Sequence, residues 1–161
     1  MNWRELITGI YDGRPRQPGI AGRAEFNPAA SAGRIADAAA ALDAALPDSL
    51  RSLLLETDGV TDMMAIDGGA WFESMWLLWT VEEIELQNCD HRAAGTRRRD
   101  FGDVVFFAGA GTDGILFAFP VTGRVCSPRV VVWHPIRDEF SDLAPSLEAF
   151  LRGWLTGTIS V

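Results

Sequence analysis

The chain's 161 residues, 48% hydrophobic and 22% charged, suit one globular domain with a sizeable core. Its 22 acidic residues outnumber 14 basic ones, all arginine, and the net charge of −8 repels phosphate backbones and sets nucleic acid aside as a partner. Two cysteines make no disulfide framework, the longest apolar runs (Val104–Ala108 and Ile115–Phe119) fall far short of a membrane span, and no secretory leader pattern opens the chain, so a cytoplasmic location is expected.

Asn2–Tyr11 places Trp3, Leu6, Ile7 and Ile10 on one helical face and predicts a short docking helix. Residues 12–28 are rich in Gly, Pro and Arg and read as a loop or arm, so residues 1–26 are expected as helix plus arm ahead of a domain over 27–161. Ser31 is a good N-cap for a helix carrying Ile35, Ala38, Leu42 and Ala45. Leu46-Pro47-Asp48 breaks that helix and starts another, with Leu50, Leu53 and Leu54 inward and Gly59 as its left-handed stop.

Beyond Gly59 the pattern turns to short strands. Val60–Ile66 is one, followed by a turn at Gly68-Gly69 and an aromatic segment, Trp71–Trp79, of undecided state. Thr80 with Glu83 three residues on matches a capping box opening a helix through about Asn88, and His91–Asp100 reads as loop. Val104–Ala108, Ile115–Val121 and Arg129–His134 are β-branched and aromatic, hence strands, and Pro145 opens a last amphipathic helix carrying Leu147, Phe150, Leu151, Trp154 and Leu155. Helices gathered before strands that short turns connect predict an α+β fold: a single twisted, mainly antiparallel sheet with helices packed on it.

Several patterns resemble active sites without their context. Gly109–Gly114 matches G-x-G-x-x-G, yet the apolar run Ile115–Val121 that follows is strand-like, and the dinucleotide fingerprint needs a helix there to receive the pyrophosphate; a hairpin turn is the preferred reading. Cys89, His91, Cys126 and His134 lack the close pairing of zinc ligands and read as a buried thiol and an edge-strand histidine. No Cys–His nucleophilic trio can be located, and Glu82, Glu83 and Glu85 suit a helix start better than opposed catalytic carboxylates. Arg97-Arg98-Arg99 reads as a solvated loop, with docking of an acidic segment as the alternative. No catalytic residue, metal or cofactor is therefore expected.

Asn27 to Ser31, Ile35, Leu42, Leu46-Pro47, Leu50, Leu53-Leu54 and Asp58-Gly59-Val60 together resemble the opening of the Smi/Knr cell-wall-assembly regulator family, within the SUKH superfamily. Leu78 through Glu82-Glu83-Ile84 and Asn88 resembles its middle helix, Phe106-Phe107 to Thr112-Asp113-Gly114 and Phe117 its central hairpin, and Val131–His134 with Leu147–Trp154 its ending. The resemblance spans about residues 27–156 and lies in the ordered set rather than in any one element. It implies a binding scaffold rather than an enzyme: a bacterial immunity protein that neutralises a polymorphic toxin by direct contact, with a regulatory adaptor as the alternative and a small enzyme with an unrecognised site third. The partner expected is a protein, a basic toxin domain suiting the acidic charge. Trp71 and Trp76 beside the glycine turn are the candidate anchors, with Asp62, Asp67 and Glu73 as acids facing that partner.

Overall fold

A computed structural model describes residues 1–13, 18–94 and 100–161. Hydroxyl caps start three of its helices. Ser31 accepts the Arg34 N–H at 3.1 Å, Thr80 that of Glu83 at 3.1 Å and Ser146 that of Ala149 at 3.2 Å, each satisfying a donor the first helical turn leaves free. These open α2 (Ala32–Ala41), α4 (Val81–Ala93) and α5 (Leu147–Thr156); α1 (Trp3–Gly13) precedes them, and α3 (Asp48–Leu54) follows the proline at its N-cap, Pro47. The helix pair broken at Leu46-Pro47 is present as expected. Gly59, however, does not stop α3, which ends five residues earlier. With φ +91° it lets two backbones approach: a Cβ there would sit 3.1 Å from both the Leu78 carbonyl and the Thr80 nitrogen.

Among the described residues, eight strands complete an α+β fold: β1 (Ile20–Phe26), β2 (Val60–Ile66), β3 (Phe72–Leu78), β4 (Val104–Gly109), β5 (Leu116–Thr122), β6 (Val125–Cys126), β7 (Val130–His134) and β8 (Glu139–Ala144). Every strand-to-strand ladder is antiparallel. The expected single sheet is two, a small one ordered β1-β2-β3 and a large one ordered β4-β5-β7-β8 with β6 beside β5. The division has a local cause. Asn88 on α4 donates to the Phe106 carbonyl at 2.8 Å and accepts the Phe106 N–H at 2.8 Å, so a side-chain amide occupies the outer edge of β4 where a strand would pair. The Phe107 carbonyl, at a register shift in β4, takes the Trp79 N–H at 3.1 Å and links the sheets.

Three segments differ from the sequence reading. The supposed arm contains β1, whose alternation of half-buried Ile20, Gly22, Ala24 and Phe26 with exposed Ala21, Arg23 and Glu25 is muted because Gly and Ala carry little apolar bulk. Helix α4 runs on to Ala93 and takes in His91. Strands β6 and β8 are short or polar, and β8 has buried only Ala144.

The core fills the space between the large sheet and the helices. Phe106, Phe107, Phe117, Phe119 and Phe150 are all fully buried, each contributing about 2 kcal/mol of apolar transfer. Phe107 stacks on Phe119 at 4.5 Å between centroids, and Phe117 meets Phe150 of α5 at 4.7 Å. Helix α1 joins the same core through Trp3, Ile7 and Tyr11. No helix among the described residues is long and apolar enough to cross a membrane.

Candidate functional site

In an antiparallel pair, residues directly opposite each other share a face. The register therefore sorts the small sheet into rows. Glu25, Thr61 and Trp76 form one row, and Arg23, Met63 and Glu73 the next; continued past Phe72, the register sets Trp71 across from the pair Ala65 and Ala21. These rows make up the outer face. Within that row Ala65 is only 3% exposed, whereas Trp71 is 40% exposed. The Trp71 indole carries the Arg23 guanidinium 4.4 Å above its ring, and Glu25 meets that arginine at 4.0 Å.

Helix α1 covers the inner face instead. Tyr11 donates a 2.6 Å hydrogen bond to the Asp62 carboxylate, and Arg4 stacks over Phe26 at 5.3 Å. An open cleft of about 1020 Å³ lies on this side, walled by Tyr11, Asp12, Asp62, Met64 and Trp154 and reaching Asp67 and Trp71 at its turn end. The five residues singled out from the sequence thus divide. Trp71, Trp76 and Glu73 come together on the outer face, with Trp71 already engaged by Arg23. Asp62 belongs to the opposite face and to Tyr11. Asp67 sits with φ +50° in the β2–β3 turn, its N–H bonded to the Gly19 carbonyl at 2.7 Å.

The other candidate groups are spread through the fold. Gly111 (φ +76°) and Gly114 (φ +67°) shape the β4–β5 turn, closed by the Ala110 N–H on the Ile115 carbonyl at 2.9 Å, so the chain enters a strand where an anion-binding helix would start. Cys126 is buried, and burial pushes its thiol up to about 11, opposed by the nearby charge of Arg92. Cys89, expected as part of the buried-thiol pattern, is exposed on α4. His134 ends β7, which is paired on both sides by β5 and β8, so the expected edge-strand position is corrected to an interior one opposite Glu139. His91 packs against Phe101, Phe106 and Trp133 with centroids 5.1–5.6 Å away, and that burial lowers its pKa, with Asp90 pulling the other way. Glu85 pairs with Arg34 of α2 at 2.6 Å and Glu83 accepts from Gln87 at 2.7 Å, both holding helices rather than facing each other. Arg97, Arg98 and Arg99 lie outside the described residues.

Two residues important to this arrangement were not singled out as polar anchors. Besides Asn88 there is Arg92, whose guanidinium donates to the Leu42 carbonyl at 2.8 Å and the Val104 carbonyl at 3.2 Å. Leu42 is the C-cap of α2, a helix with no basic residue in its last turn, so Arg92 supplies from α4 the positive charge that end lacks.

The ordered set of elements, with its broken helix pair, middle helix, central hairpin and closing helix, matches a known family. The model of the SMI1/KNR4 family (SUKH-1) covers residues 29–153. The chain belongs to that family. Within the SUKH-1 match lie Asn88, Arg92 and the hairpin bearing Trp71, Glu73 and Trp76; α1 and β1 precede it, although both pack against the matched part. No curated protein matches the chain.

Proposed function

We propose that this SUKH-1 protein is a non-catalytic protein-binding module, an immunity protein that neutralises a toxin domain in the cytoplasm by direct contact. The observation that carries the reading is the outer face of the small sheet, where Trp71 and Trp76 stand 40% and 39% exposed beside Glu73 and the turn acid Asp67. Large aromatic rings gain free energy when a partner dehydrates them, and isolated placement in water forgoes that gain. The net charge of −8 steers a basic partner towards the protein, and the rings then slow its departure. Membership in SUKH-1 agrees with a binding role.

Co-expression with the toxin-like product of an adjacent reading frame tests this directly. Protection of the cells and a co-purifying complex are the expected results. A product that is neither bound nor neutralised returns the protein to the regulatory-adaptor reading, in which the same face serves a cellular partner.

A further inference from the structure

The Arg23–Trp71 stack shows what chemistry this sheet accepts. A guanidinium lies 4.4 Å over an indole, with the Glu25 carboxylate 4.0 Å from the same arginine. That arrangement combines the ring quadrupole with an opposite charge, and a planar guanidinium suits both at once. Along β3 the components recur. Glu73 and Trp76 are outward residues in adjacent rows, separated by Met75 and by Ser74, the extra residue where the β2–β3 register shifts. Among the described residues, neither the Trp76 nor the Glu73 side chain has a hydrogen bond, ion pair, ring contact or cation stacked on it, and Trp76 is 39% exposed. An indole and a carboxylate thus stand ready without the cation that their neighbours already hold.

We propose that Trp76 and Glu73 form a docking site for an arginine side chain of the protein partner, the partner's guanidinium stacking on the Trp76 indole and pairing with Glu73. The proposal deepens the protein-binding reading of this face and rests on it. Arginine is favoured over lysine because the flat, weakly hydrated guanidinium stacks on a ring and meets a carboxylate side by side, whereas an ammonium is a compact, strongly hydrated point charge. Charge complementarity agrees: Glu25, Asp67 and Glu73 surround the face against the single described arginine Arg23, itself occupied.

The test uses the full chain and two fluorescently labelled hexapeptides of equal charge, one alternating arginine with glycine and one alternating lysine with glycine. Anisotropy gives affinity, and the indole N–H resonances of Trp76 and Trp71 report the place. The arginine peptide is expected to move the Trp76 resonance saturably and to bind about fivefold more weakly to Trp76→Leu and Glu73→Gln. Asp48→Asn removes the same charge at a fully exposed site on α3 and should leave affinity within about twofold. In Arg23→Ala the vacated Trp71 should become a second site, so its resonance moves with peptide in that variant alone.

An unmoved Trp76 resonance, equal binding of the lysine peptide, or an Asp48→Asn loss as large as that of Glu73→Gln overturns the arginine site. The two readings also fail separately. A toxin bound with unchanged affinity by Trp76→Leu and Glu73→Gln refutes the arginine site and leaves the protein-binding function standing. Peptide docking at Trp76 without any protein partner or protection does the reverse.

Discussion

Phe106, Phe107, Phe117 and Phe119 of the large sheet are at most 1% exposed, while Trp71 and Trp76 of the small sheet are 40% and 39% exposed. Both sheets are antiparallel and rich in aromatic residues, so strand propensity alone does not separate them. What separates them is what covers each face. The large sheet lies under α5 and the α2–α4 layer, and its rings stack on one another. The small sheet has α1 on its inner face only, and its outer face is left to Arg23. One region therefore holds the fold together, and the other can lose or gain a partner without repacking a core.

The largest effect expected from this contrast is at Asn88. Its amide is 1% exposed and holds both backbone groups of Phe106 as well as the Ile84 carbonyl at 2.7 Å. Truncation in Asn88→Ala leaves the Phe106 N–H and carbonyl buried without partners, and should lower unfolding free energy by about 3 kcal/mol in urea titrations. Trp76→Ala, although it removes a far larger side chain, should cost about 0.5 kcal/mol or less. Equal losses at the two positions would erase the distinction between a packed sheet and an open one.

Arg92 sharpens the same comparison one step down. It joins α4 to the end of α2 and to β4, and its Nε is buried without a partner among the described residues. Arg92→Ala should cost about 2 kcal/mol, and Arg92→Lys should recover less than half, since one ammonium cannot span the Leu42 and Val104 carbonyls as a fork does. Full recovery by lysine would mean that charge near the α2 terminus, rather than the forked geometry, is what matters. The cysteines follow. Exposed Cys89 should react with an aromatic disulfide reagent at about pH 8, whereas Cys126, with its thiol raised to about 11, should react only once the protein is unfolded.

The fold was legible in the sequence wherever one residue determines one local geometry. Ser31 and Thr80 are caps because a hydroxyl before an apolar period has few better uses, and Gly109–Gly114 is a turn because a strand follows it. What stayed hidden depends on residues distant in the chain. Nothing around Asn88 says that its amide will meet Phe106, 18 residues on, and divide one sheet into two. Strand β1 was hidden for another reason: its inward positions are partly Gly and Ala, so the period of two carries no hydrophobic signal. At the candidate site, Trp71, Glu73 and Trp76 could be picked out from composition beside a glycine turn. Their separation from Asp62 required the register, because the shifts at Val60/Thr61 and Asp62/Met63 change which residues share a face.

The smallest expected effect concerns His91, which belongs to the packed side of the comparison but touches its margin. Its ring lies 5.1 Å from Phe106 and 5.6 Å from Phe101 and Trp133, and burial among them lowers its pKa from 6.5 more strongly than Asp90 raises it. The folded protein therefore resists protonation that the unfolded chain accepts. Between the unfolded value and the lower folded one, the unfolded state binds more protons, so stability falls as pH drops below about 6.5 and levels off once the folded ring also protonates. Wild type and His91→Gln should differ in slope when thermal midpoints are followed from about pH 7.5 to about pH 5, the variant losing less. His134, the second of the two histidines, is present in both proteins, as are all the carboxylates, so the difference in slope isolates His91. Parallel curves would show that the aromatic cluster tolerates an imidazolium, as an exposed surface would, and would move His91 to the open side of the molecule.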